Sequence, residues 1–210
     1  GSPGLRVVDI RGYVRSTDLG GGVQHADYLA ARDEYDAAHV PGSVYVDWTQ
    51  DIIDPDNPVK VQIAPPAAFK ATMESRGIGN DTDVVILDHT GGHFATRLWW
   101  ALRYYGHDRA AVLDGGFNKW QAEDRPLSPE DPSTMNAIFS PRTRPELWVD
   151  SADVLSSTGT PGTRIVDARD APQHTGEVRR GSSGGFAFTA STGKRGGRGL
   201  DPRLAEELLR

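Results

Sequence analysis

The chain has 210 residues with a net charge of −6, 37% hydrophobic and 25% charged residues. That is an ordinary globular balance, with no apolar run long enough to cross a membrane and no overall positive charge of the kind nucleic-acid proteins use. There is no cysteine, which excludes disulfides, thiolate metal ligands and any mechanism that runs through a thiol of this chain.

Read from the start, Gly1-Ser2-Pro3-Gly4 leads without an initiator Met or a signal peptide into a strand, Leu5 to Arg11. We expect the cut edge of a longer protein, and the cytoplasm as its compartment. Tyr28 to Ala38, rich in Ala and acidic residues, reads as a helix. Ser43 to Trp48 reads as a strand. Pro65 to Arg76 reads as a helix, with proline at its start and Gly77 past its end. Asp83 to Leu87 is a strand of the buried type, because Val84-Val85-Ile86-Leu87 is apolar without alternation. Phe94 to Tyr105 is a helix stopped by Gly106, Ala110 to Leu113 a strand, and Gly116 to Ala122 a helix. Strands separated by helices predict an α/β fold with a central parallel sheet flanked by helices. This first domain takes residues 1–127.

Residues 128–145 carry prolines at 129, 132, 141 and 145. They predict an extended linker that resists packing. A second unit, 146–210, opens with a helix from Asp150 to Ser156, then a strand, Arg164-Ile165-Val166-Asp167-Ala168-Arg169. That strand matches Arg6-Val7-Val8-Asp9-Ile10-Arg11 at four of six positions, offset by 158, which suggests an internal repeat. From Gly181 the pattern lapses into Gly- and Ser-rich sequence. The second α/β unit is therefore incomplete, with 181–200 expected to be disordered and a helix pattern returning at Asp201 to Arg210.

The junction with chemical potential is Asp88-His89-Thr90-Gly91-Gly92-His93, between the Leu87 strand and the helix that carries Arg97. A glycine-containing loop at the C-terminal end of a parallel strand presents backbone N–H groups that can cradle an anion. Asp88 is either a nucleophile or base, or a carboxylate that satisfies those amides. The second reading is favoured. His89 and His93 are four apart, but on a loop and without a third ligand, so no metal is expected. Arg97 either faces an anion or lies at the surface. Asp9 and Arg11 read as a charged brace at a strand end. His39-Val40-Pro41-Gly42 reads as a tight turn whose His39 bonds backbone. Trp99, Trp100, Tyr104 and Tyr105 read as core and interface packing, with an aromatic surface left for a protein partner or self-association. Arg179, Arg180, Lys194, Arg195 and Arg198 form a basic stretch in an acidic chain. It is read as part of the interrupted second unit, not as a nucleic-acid or membrane site.

Taken together, Asp9-Ile10-Arg11, His39-Val40-Pro41-Gly42-Ser43-Val44, the loop from Asp88, Trp99-Trp100, Gly106-His107 and Leu113-Asp114-Gly115-Gly116-Phe117-Asn118-Lys119-Trp120 resemble a rhodanese domain. They resemble more closely the N-terminal domain of two-domain sulfurtransferases that act on thiosulfate or 3-mercaptopyruvate. Val166 to Arg169 and Thr175 to Ser182 resemble the start of the second domain. The resemblance implies that a cysteine on the second domain's equivalent loop takes a sulfane sulfur from a small sulfur-containing anion as a persulfide. The cysteine then passes it to cyanide or a thiol, with no cofactor. It implies that the N-terminal domain lacks the cysteine and commonly shows an acidic residue there, which Asp88 fits. The chain departs from the family pattern in having no cysteine and no His-x-Pro-Gly motif or cysteine loop after Arg180. It is therefore expected to be inactive alone. The alternatives are a non-enzymatic anion- or protein-binding module and, last, a phosphatase-like hydrolase, which would also need the missing cysteine.

Overall fold

A computed structural model describes residues 4–21, 23–134, 136–169, 171–175 and 179–180. The expectations for 181–200 and for the helix at Asp201 to Arg210 lie outside the described residues.

Four parallel strands form the central sheet: β1 (Leu5–Asp9), β4 (Val44–Tyr45), β5 (Asp83–Leu87) and β6 (Ala110–Val112). Their order is β4-β1-β5-β6. β1 and β5 run side by side from Leu5 opposite Asp83 to Asp9 opposite Leu87. Successive side chains of a strand point to opposite faces. Accordingly Val8, Val84 and Ile86 join the larger core cluster, and Val7 and Leu87 join a smaller one with Val40 and Phe117. The continuous apolar run in β5 is thus explained by cover on both faces.

The larger cluster is roofed by α2 (Pro66–Ser75), which contributes Phe69 and Met73, and by α3 (His93–Tyr104), which contributes Phe94, Ala95, Leu98, Ala101 and Leu102. α4 (Gly116–Ala122) covers the other face through Phe117. Among the described residues no helix is long and apolar enough to cross a membrane.

The structure corrects the reading of Tyr28 to Ala38 as one helix. Residues Val23–Ala30 are a strand, β3, paired antiparallel with β2 (Gly12–Asp18), and only Arg32–Ala37 is helical, as α1. The reason is tertiary. Gly12 lets Trp48 lie against the hairpin, since a Cβ at Gly12 would collide with the indole Nε1 and Cδ1. The indole N–H then donates to the Leu29 carbonyl at 3.1 Å. Gly20 and Gly21 take positive φ in the turn, conformations that glycine adopts without strain.

The proline-rich segment is also not the free linker expected from its composition. Phe139 is fully buried among α2 and α3 residues, edge-on to Phe69. Its N–H donates to Glu74 at 2.9 Å, and the Ile138 carbonyl accepts from Asn80 at 3.0 Å. The segment crosses close above Gly79 and Gly106, where a Cβ would press on Ile138 and Arg142. Arg144 then makes a two-pronged ion pair with Asp108, both contacts at 2.6 Å. After the 3-10 turn Pro145–Leu147, Trp148 lies beside Trp100 and Tyr104, at 5.8 and 6.1 Å between ring centroids. The aromatic surface of α3 that the sequence left for a partner is thus met, in part, by this chain's own Trp148.

The helix expected from Asp150 is present as α5 (Ser151–Ser157), with Asp150 and Asp153 in a reciprocal capping box. The strand expected at 164–169 is not formed. Those residues run without strand pairing, and Ile165 and Val166 are exposed. A strand needs a neighbour to satisfy its backbone, and the described residues supply none there. The Asp-x-Arg brace survives without it. Arg169 N–H and Nε both donate to Asp167, as Arg11 N–H and Nε donate to Asp9. The remaining elements are α6 (Ala171–Thr175) and β7 (Arg179–Arg180), which pairs parallel with β3.

Two stability measurements follow. Replacing Phe139 by alanine should cost about 3–5 kcal/mol by urea unfolding, as deletion of a buried aromatic ring does. A cost under about 1 kcal/mol would mean that the segment merely rests on the surface. His107 is buried beside Phe139, and burial lowers its pKa from the usual 6.5, with backbone groups of Arg109 and Thr82 opposing. The folded chain keeps this ring neutral where the unfolded chain protonates it. Its stabilising share is present above about pH 6.5 and is lost as the pH falls. The urea midpoint should drop between pH 7 and pH 5, and His107→Asn should flatten that slope.

Candidate functional site

The site is built where β5 ends and α3 begins. Gly91 and Gly92 take positive φ, 75° and 97°, which folds the loop back over Asp88. Asp88 is 2% exposed. Its Oδ1 accepts from the N–H groups of Thr90 and Gly92, each at 2.9 Å. Its Oδ2 accepts from those of Phe94 and Ala95, at 2.8 and 3.0 Å. Four backbone donors, two of them in the first turn of α3, therefore close on one carboxylate. The cradle expected from the glycine pattern is formed, and the anion in it is the Asp88 side chain.

The neighbouring elements hold this loop by its backbone. The Phe117 N–H at the start of α4 donates to the Asp88 carbonyl at 2.8 Å. Gly116 allows that approach, because a Cβ there would collide with the same carbonyl. Asn118 donates to the His89 carbonyl at 2.9 Å.

His89 donates from Nε2 to the Gly12 carbonyl at 2.9 Å, and its ring lies 4.7 Å from that of Tyr13. The Tyr13 hydroxyl donates to Glu34 on α1, whose carboxylate is 3.8 Å from His89 Nδ1. His93 donates from Nδ1 to the Thr90 carbonyl at 2.8 Å. Both imidazoles are thus occupied with backbone. Among the described residues no group of three His, Asp or Glu side chains is placed to hold a metal ion. Arg97, one turn into α3, donates to the carbonyl of Val61, and burial lowers its pKa to about 10.

The Asp9–Arg11 pair sits at the end of β1. Arg11 Nε contacts both carboxylate oxygens, at 3.0 and 2.9 Å, and its Nη2 donates to the Ala38 carbonyl. The guanidinium lies 3.7 Å above the Phe117 ring. Burial pushes the Asp9 carboxyl up, with Arg11 opposing. In the His39 turn, Pro41 and Gly42 occupy the central positions. Gly42 has φ of 78° and Ser43 N–H donates to the Val40 carbonyl at 2.9 Å, the form of a type II turn.

Sequence reasoning did not bring Tyr13, Glu34, Asn118 or Gly116 to this loop. Asn118 and Gly116 lay within a motif already singled out. Tyr13 and Glu34 became visible only once the hairpin was recognised, and the Gly20-Gly21-Gly22 run was its signal.

The model of the rhodanese-like domain matches residues 4–123. The chain belongs to the rhodanese-like family. It is 33% identical over 176 residues to bovine thiosulfate sulfurtransferase, covering 83% of this chain and 55% of that protein. It is 31% identical over 148 residues to a probable 3-mercaptopyruvate sulfurtransferase of Pseudomonas aeruginosa, covering 69% of this chain and 52% of that protein. The rhodanese-like chain thus spans about half the length of the curated relatives it matches. Among solved structures it resembles SseA from Escherichia coli, described as a 3-mercaptopyruvate sulfotransferase of rhodanese fold. The TM-score is 0.70 and the identity 25%, over 99% of this chain and 77% of that one.

Asp88→Asn keeps the shape of the side chain, but removes the charge and turns an NH2 group toward backbone donors. The variant should lose about 1–3 kcal/mol in urea unfolding, the cost of buried donors left unpaired. An unchanged midpoint would show that water replaces the carboxylate at no cost.

Proposed function

We propose that this chain is the non-catalytic rhodanese-like half, with the opening of a second unit, of a thiosulfate- or 3-mercaptopyruvate-type sulfurtransferase. One observation carries the reading. Four backbone N–H groups close on the Asp88 carboxylate just after β5, on the loop that the resemblance makes equivalent to the one bearing the sulfur-carrying cysteine in the family's catalytic domain. A persulfide forms when a thiolate attacks a sulfane sulfur and expels the rest of the donor. A carboxylate held by four N–H groups cannot play that part, and the chain has no cysteine elsewhere.

On this reading the small sulfur-containing anion meets a cysteine-bearing domain of an intact relative. The loop from Asp88 to His93, with Arg97 behind it, is a structural counterpart of that site. Asp9, Arg11, His39, Pro41 and Gly42 serve as bracing. The division into a unit at 1–127, a connecting segment at 128–145 and a second unit from 146 is part of the proposal, as is a cytoplasmic location. Neither nucleic acid nor membrane is a partner, and no cofactor is needed.

The purified chain, given thiosulfate and cyanide, should make no thiocyanate above the buffer rate, and 3-mercaptopyruvate should likewise be left unconsumed. Thiocyanate production proportional to the amount of chain would overturn the reading.

A further inference from the structure

The long connection from β4 to α2 encloses an open pocket of about 340 Å³, lined by its own residues from Thr49 to Val61 and by Tyr28 of β3. Pockets that hold small molecules begin at about 300 Å³. The connection is pinned at its base and on both sides. Ile53 bridges Ile63, the Asp54 N–H donates to the Gln62 carbonyl at 2.8 Å, and the Ala64 N–H donates to the Ile52 carbonyl at 3.0 Å. The Thr72 hydroxyl of α2 donates to the Asp51 carbonyl at 2.8 Å, and Arg97 of α3 donates to the Val61 carbonyl. Val61 itself has φ of 56°. A β-branched residue in the left-handed region is strained, and such strain gathers where a ligand is held. Asp124 also has positive φ, but it lies just past α4, where helices commonly end that way. Val61 ends no helix, and its side chain forms part of the pocket wall.

The polar groups of the wall are fixed in place and only half used. Asp54 Oδ1 accepts from the Asp56 N–H at 3.1 Å, and Oδ2 has no partner among the described residues. Asn57 Oδ1 accepts from the Val59 N–H at 3.0 Å, which leaves the side-chain NH2 group with two donors to give. The Thr49 hydroxyl gives its hydrogen to Asp47 at 2.6 Å and keeps its lone pairs. Lys60 brings a positive charge to the same wall as Asp54, yet among the described residues neither is in an ion pair. Opposite charges that line one pocket without meeting leave room for a ligand that answers both. The remaining wall is apolar, with Ile53, Val61 and the Tyr28 ring, which stands edge-on to Trp48 at 5.6 Å between centroids.

We propose that this pocket binds a free α-amino acid with a medium-sized apolar side chain. The ligand's carboxylate meets Lys60 and the Asn57 NH2 group. Its ammonium group meets Asp54 Oδ2 and the Thr49 lone pairs. Its side chain lies against Ile53, Val61 and the Tyr28 ring. A ligand with only one of the two charges would cover the other charged wall group without pairing it, and that costs binding energy. The pocket selects the zwitterion for this reason. No bond is made or broken, and the inference does not depend on the sulfur chemistry.

The test uses the full chain, with L-leucine as the probe and amide 1H–15N shifts as the readout. Isocaproate is leucine without the ammonium group, and isoamylamine is leucine without the carboxylate. L-leucine should shift the amides of Ile53, Asp54, Asn57 and Lys60 saturably, with half-saturation at or below about 1 mM, while β6 amides stay in place. Each analogue should bind about tenfold more weakly, because one charged wall group loses its partner. Asp54→Asn and Lys60→Gln should each weaken L-leucine by a similar factor and leave the urea midpoint unchanged. If a variant does not fold, the two analogues decide the matter on the unmodified chain. An absence of saturable shifts with L-leucine up to about 10 mM would overturn the proposal. Equal binding of all three probes would do the same, since the pocket would then be an apolar crevice. So would folded variants that bind L-leucine as tightly as the unmodified chain.

Discussion

The junction of β5, α3 and α4 is arranged around one buried carboxylate. Asp88 directly follows β5, and its two oxygens collect four N–H groups from the turn and from the start of α3. The first turn of a helix has donors with no partner inside the helix, and here two of them are satisfied by the residue that follows the preceding strand. Its carbonyl meanwhile receives α4 through Phe117. One residue therefore fixes how a strand, a loop and two helices meet.

The segment that composition marks as a linker belongs to this unit energetically. Its prolines remove N–H groups that would need partners. The residues between them supply what a docked strand would supply, with Phe139 in the core and backbone bonds to Asn80, Tyr104 and Tyr105. Trp148 extends the contact along α3. The first unit thus carries an apron that continues well past its last sheet strand before the chain reaches α5.

The parts legible in the sequence were those specified locally. The β5 boundaries, the loop and α3 were readable because an apolar run, a glycine pair and a helical pattern follow one another without a gap. The type II turn after His39 was readable from Pro41-Gly42. The β2–β3 hairpin was not, because its strands carry polar residues on both faces and the Ala and acidic residues near Tyr28 mimic a helix. Phe139 was hidden among prolines, since one ring shows no periodicity. The roles of Tyr13 and Glu34 at the loop are set by a fold-back of the chain, which spacing along the sequence does not encode. Residues 164–169 show the converse. Their pattern reads as a strand, yet a strand is a property of pairs.

The two Asp-x-Arg braces differ in what must exist before they can form. At Asp9 and Arg11 the ion pair is buried, so it is protected only after the sheet and Phe117 have closed over it. At Asp167 and Arg169 the same pattern of bonds stands exposed, joined by His174 seven residues on. Contacts between residues so near in sequence form quickly and need no distant partner. The second brace therefore draws only on residues between Asp167 and His174. A kinetic study would find this motif among the earliest ordered points of the chain, whereas its counterpart in the first unit would be among those fixed late.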